Sequence, residues 1–127
     1  MKDKKTILVI EDETPLQRAI KSKMELNGFA AVTARSVEQA IEYLEDKEIN
    51  VDVIWLDHYL LGKENGLDLV ARVKNHQEWK NIPIFVVSNT ATESKVKTYL
   101  QLGVDKFYTK SDNKLEEIIE DINITLN

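Results

Sequence analysis

Polar residues at the ends of apolar runs carry the chemistry that this sequence offers. The run at 7–10 ends in Glu11, Asp12 and Glu13, and the run at 53–56 ends in Asp57. The run at 84–87 ends in Ser88 and Asn89, and a weaker one at 106–109 ends in Lys110. Glu11, Asp12 and Asp57 sum to a formal charge of −3. Carboxylates gathered in this way repel one another unless a cation is shared among them. One divalent ion together with Lys110 would balance the charge. All-oxygen ligands favour a hard ion, and Mg²⁺ suits a few carboxylates with waters and a phosphate. A carboxylate beside such an ion and an ammonium is also a nucleophile toward phosphorus, because the two cations neutralise the transferring oxygens. Each signal alone has a bland reading. Acids before a helix favour its dipole, an aspartate after a strand can open a turn, and Ser88 and Lys110 alone read as a turn hydroxyl and a solvated amine. Their coincidence at strand ends gives them weight.

That coincidence depends on the elements. The runs at 7–10, 53–56 and 84–87 are continuous and rich in β-branched residues, the pattern of strands buried on both faces of a parallel sheet. Residues 29–34 and 106–109 are weaker strand candidates. Helical patterns lie between and after them. Pro15 suits a first helical position, with Leu16, Ala19, Ile20 and Met24 on one face and Gly28 as a stop. Ser36 and Gln39 have the spacing of a capping box ahead of Val37, Ala40, Ile41 and Leu44. A third helix over about 66–75 should turn Leu67, Val70 and Ala71 inward. A fourth carries Val96, Tyr99 and Leu100 and stops at Gly103, and a fifth carries Leu115, Ile118, Ile119, Ile122 and Leu126. Strand and helix thus alternate five times. The expected fold is α/β: a doubly wound sandwich with right-handed crossovers. In an open sheet of this kind ligands bind beyond the carboxyl ends of the strands, the edge where the polar residues collect. The units take up all 127 residues, so one domain over 1–127 is expected.

Composition narrows the function. Seventeen basic against 22 acidic side chains give a net charge of −5, which weighs against direct nucleic-acid binding. The acidic stretch at 111–127 reads as a solvated helix face. With no cysteine, disulfides, thiolate metal sites and a cysteine nucleophile are excluded. No apolar run is long enough for a membrane span or a signal-peptide core, so a soluble, cytoplasmic protein is expected. His58 should point away from Asp57 by strand alternation, as a surface or helix-packing residue. His76 reads as solvated, Trp55 as core and Trp79 as packing a loop. The match of Asn123, Ile124 and Thr125 to a glycosylation sequon carries no weight without a secretion signal.

Taken in order, the stretches 7–13, 53–57, 85–88 and 103–110 resemble the receiver domain of two-component response regulators, and the resemblance covers essentially the whole chain. It implies a flavodoxin-like (βα)5 sandwich with a five-stranded parallel sheet in the order 2-1-3-4-5. It implies that Asp57 accepts a phosphoryl group from a histidine kinase or histidine phosphotransfer protein in a Mg²⁺-dependent reaction, followed by slow autodephosphorylation. On the same resemblance Asp12 ligates Mg²⁺ directly, Glu11 acts through water, and the Tyr59 carbonyl is the third protein ligand. Ser88 and Lys110 contact the phosphoryl group, and Ser88 and Phe107 form the switch. Phosphorylation would then alter a face made of the fourth helix, fifth strand and fifth helix, which binds a partner or a second copy. Tyr59 and Thr90 would tune the lifetime of the phosphoryl group, with the Tyr59 ring shielding it from water.

The sequence departs from the family's usual pattern at Glu11, Leu61, Asn89 and Ser111, and Gly66 lies one residue further from Asp57 than is frequent. Ser111 replaces a proline, so a trans Lys110–Ser111 bond is expected, with Ser111 as a cap for the last helix. Three rival readings stand beside this one. An FMN-binding flavodoxin would need a phosphate loop where Glu11, Asp12 and Glu13 stand. A phosphatase with an aspartate nucleophile would want a second aspartate where Tyr59 stands. A receiver that works unphosphorylated, purely as a binding module, would have no need of Asp57, Ser88 and Lys110 together.

Overall fold

The structure is a computed structural model and describes residues 4–89 and 92–127. Five strands, β1 (Thr6–Ile10), β2 (Ala30–Ala34), β3 (Val53–Leu56), β4 (Ile84–Ser88) and β5 (Lys106–Thr109), alternate with five helices. These are α1 (Thr14–Leu26), α2 (Val37–Glu45), α3 (Gly66–Lys74), α4 (Glu93–Leu102) and α5 (Leu115–Leu126). All pairings are parallel and the strand order is β2-β1-β3-β4-β5, as the alternation and the family resemblance imply.

Strand alternation divides the core in two. Leu8, Ile10, Ile54, Leu56, Ile84 and Val86 face α2, α3 and α4. Ile7, Val9, Val53, Trp55, Phe85 and Val87 face α1 and α5. Both faces of the three central strands are therefore dry, which is why these runs show no polar alternation.

The helices follow their expected positions more closely than their expected faces. Gly28 ends α1 with a φ of 88°, in the left-handed region open to glycine. Ala19, expected inward, is exposed, and Gln17 takes the buried position one turn before Ile20. On α3 the buried face is Gly66, Leu69, Val70 and Val73, while Leu67 and Ala71 flank it half-buried. The Asn65 side chain accepts the N–H groups of Leu67 and Asp68, and this cap fixes where the helix starts. On α4 only Tyr99 is buried, and Leu100 points outward. The box expected at Ser36 is offset. Ser36 Oγ accepts the Gln39 N–H, but Gln39 Oε1 accepts from Arg35 rather than from Ser36. Ser111 does not cap α5; Lys114 holds that position, its N–H donating to the Glu117 carboxylate. The Lys110–Ser111 bond is trans. Trp55 is core, as expected. His76 is half-buried rather than solvated, its ring stacked on Trp79 at 3.5 Å.

Candidate functional site

The sheet ladder sets the site residues in register. Beyond the assigned strands, the Asp57 N–H donates to the Ile10 carbonyl (2.9 Å), Glu11 to Ala34 (3.0 Å) and Lys110 to Ser88 (3.0 Å). Each residue thus prolongs its strand by one step, and the carboxyl ends of β1, β3, β4 and β5 come level. Glu11, Asp12 and Asp57 offer oxygens that all lie within 4.8 Å of one another. Lys110 reaches in from the far side of the sheet. Its Nζ donates to Glu11 Oε1 at 2.8 Å and to Asp57 Oδ2 at 3.4 Å. Ser88 is fully buried at the end of β4.

Burial and charge set the electrostatics. Glu11 is fully buried and Asp57 nearly so. Burial pushes the Glu11 carboxyl up to about 7, against the bond from Lys110 and with the help of the Asp57 charge. Burial also works against the Lys110 ammonium, but its bond to Glu11 and the attraction of Asp57 outweigh it and hold it above the usual lysine range. Three carboxylates share one ammonium, and two of the three are out of water. The three carboxylates could hold a metal ion, and an oxygen-only donor set fits a hard one.

Loops around the site are braced by side chains. Gln17 Nε2 donates to the carbonyls of Glu11 and Ala34, pinning the start of the β1–α1 loop. The Arg35 guanidinium donates twice to the Asp12 carbonyl, at 3.1 and 3.0 Å. Asp57 Oδ1 accepts the His58 N–H at 2.8 Å. His58 is buried, as a helix-packing residue and not a surface one, and its Nδ1 is joined to the Tyr99 hydroxyl at 2.6 Å. Burial, then the nearby Lys95 charge, lowers the His58 pKa, which keeps the ring neutral. Tyr59 is 53% exposed, and its hydroxyl accepts from Lys95 Nζ at 3.2 Å. Phe107 is half-buried on β5, its ring 5.6 Å from that of Tyr99. Thr90 lies outside the described residues.

Every other candidate residue thus falls at one sheet edge or against it. The braces were not singled out from sequence. Gln17 was open to detection, since it shares the helical spacing of Ile20 and Met24. Tyr99, expected beside the switch surface, is buried instead, and a buried phenol needs a hydrogen-bond partner. Nothing local marks Arg35, whose partner lies across a strand connection.

No helix among the described residues is long and apolar enough to cross a membrane. Residues 7–123 match the family model for the response regulator receiver domain. The phosphate regulon transcriptional regulatory protein PhoB of Pseudomonas aeruginosa is 31% identical over 84% of this chain, which spans only 45% of that protein. The chemotaxis protein CheY1 of Helicobacter pylori is 29% identical over 82% of this chain and 83% of its own length. The solved structure of the phosphorylated cyanobacterial phytochrome response regulator RcpA is 26% identical, with a TM-score of 0.81 over 97% of this chain and 91% of that one. The chain therefore belongs to the response regulator receiver domains of two-component signalling systems.

Proposed function

We propose that Asp57 accepts a phosphoryl group from the phosphohistidine of a histidine kinase or histidine phosphotransfer protein. A carboxylate oxygen of Asp57 forms a bond to phosphorus as the bond from phosphorus to the imidazole nitrogen breaks. Water later attacks the same phosphorus, restoring the carboxylate and releasing phosphate. The observation that carries this reading is the Lys110 ammonium set between Glu11 and Asp57 inside the acidic cluster. Glu11, Asp12, Asp57 and the carbonyl of Tyr59 are the residues to hold Mg²⁺. When bound, the ion neutralises charge on the transferring oxygens. Lys110 supplies a further positive charge to those oxygens, and the Ser88 hydroxyl donates to one of them after transfer.

A phosphoryl group carries roughly −1.5 to −2, so the balanced site gains negative charge. Ser88 moves toward it, and Phe107 turns into the space that Ser88 leaves. The face formed by α4, β5 and α5 then changes, and it binds a signalling partner or a second copy of this chain. The setting is the cytoplasm, and this domain makes no contact with nucleic acid or membrane. Incubation with a small phosphoryl donor and Mg²⁺, followed by intact-mass measurement, tests the reading. Wild type should gain one phosphoryl group, and neither Asp57→Asn nor wild type in excess chelator should do so. A gain by Asp57→Asn equal to that of wild type would refute it.

A further inference from the structure

Helix α4 is held to the body of the protein by less apolar burial than any other helix. Its one buried residue is Tyr99, whereas each of the other four helices buries three or more. An element with so few buried contacts lies at the low-stability end of the fold, where single polar contacts decide position. Tyr99 is fully buried, and its hydroxyl meets His58 Nδ1 at 2.6 Å. The rings also meet edge to face, with centroids 5.7 Å apart. Space for the hydroxyl depends on Gly66, because a Cβ at that position would collide with it. On its other side the Tyr99 ring packs against Phe107.

His58 also follows Asp57 directly in the chain. Its N–H donates to Asp57 Oδ1, a charge-assisted bond to the carboxylate. Conversion of that carboxylate to an acyl phosphate changes the charge and direction of the acceptor. The His58 backbone must respond, and its imidazole is tied to α4. A second tie runs in parallel at the surface, from Lys95 of α4 to the Tyr59 hydroxyl.

We propose that His58 and Tyr99 are a coupling pair, positioning residues through which the state of Asp57 sets the placement of α4. The proposal rests on the reading of Asp57 as phosphoryl acceptor and adds a route distinct from Ser88 and Phe107. The pair touches no reacting atom. Its hydrogen bond transmits displacement of the β3–α3 loop to the most weakly seated helix, and the contact of Tyr99 with Phe107 joins the two routes.

The test is amide chemical-shift mapping of the full chain with Mg²⁺, before and after addition of beryllofluoride as phosphoryl mimic. Four proteins are compared with wild type: Tyr99→Phe, His58→Phe, His58→Asn and the double variant Tyr99→Phe/His58→Phe. In wild type, shifts should appear at 11–13, 57–59 and along α4. In Tyr99→Phe the shifts at 11–13 and 57–59 should persist. Those along α4 should be largely lost. His58→Phe should do the same. His58→Asn, which places an amide atom where Nδ1 stood, should restore most of the response. The double variant should be no worse than either single one, since only one bond is being lost. Undiminished α4 shifts in Tyr99→Phe, or in His58→Phe should the first variant fold poorly, would overturn the proposal. Failure of wild type to respond at 57–59 would overturn the reading of Asp57 itself, and the coupling with it.

Discussion

Burial acts on Glu11 more strongly than its bond to Lys110 does, and the carboxyl therefore holds its proton up to about pH 7. The folded chain binds a proton there that the unfolded chain gives up near the ordinary glutamate value. This group's contribution to stability is thus greatest at low pH and declines as pH rises through that interval. A bound cation reverses the preference, since ligands must be deprotonated. Mg²⁺ binding at about pH 6.5 is therefore expected to release a proton. Calorimetry in buffers of different ionisation enthalpy should show that release in wild type and lose it in Glu11→Gln. A heat independent of buffer in wild type would contradict the assignment. Tyr59 is a second residue with a consequence of its own. Its ring is exposed two residues beyond Asp57, held by Lys95 at its hydroxyl and with the Lys95 Nζ 4.7 Å from the ring centroid. Tyr59→Ala should open the approach of water in line with the acyl phosphate and shorten its lifetime severalfold. A decay rate equal to that of wild type would remove shielding from the account.

At the scale of elements, the apolar runs mark strands to within a residue or two, because the middle positions of a central strand are buried on both faces and stay apolar. Helix faces were harder to read. In α3, Leu67 and Leu69 compete for the interior, and both choices leave a plausible apolar stripe through Val70. One local fact and one tertiary fact decide the matter. Asn65 caps the first turn, and Gly66 comes so close to β3 that a Cβ would stand 3.0 Å from the Asp57 carbonyl and 3.2 Å from His58 Cα. The glycine is needed for close approach rather than for an unusual backbone angle. Gly66→Ala should accordingly destabilise the fold by about 1–3 kcal/mol, the usual cost of overpacking, although alanine is the better helix former. A denaturant midpoint at or above that of wild type would show that Tyr99 and the loop move aside freely. The site itself was legible because its members end strands, and strand ends of a parallel sheet share an edge. The braces were not, because Arg35 and Tyr99 meet their partners only across the folded chain.

For the molecule as a whole, the two dry cores pull the strands into register and force like charges together at their ends. Lys110 bonds to two of the three carboxylates, so above about pH 7, where Glu11 too is ionised, the metal-free protein keeps a residual repulsion that the cores must offset. The site is expected to lower stability until a cation occupies it. Asp57→Asn tests this with little change in shape. The amide oxygen can still accept the His58 N–H, and Lys110 keeps its closer partner, Glu11 at 2.8 Å. Losing one negative charge should raise the stability of the metal-free variant by about 1 kcal/mol, about 4 °C in Tm for a chain of this length. Saturating Mg²⁺ should reverse the order. A ligand at a hundred times its Kd stabilises the folded state by about 2.7 kcal/mol, and only wild type keeps the full set of ligands to gain it. Thermal unfolding of both proteins, with chelator and with excess Mg²⁺, reads the crossing directly. If Asp57→Asn is the less stable protein in chelator, the carboxylates are compensated without a metal, and the charge argument for Mg²⁺ at this site fails.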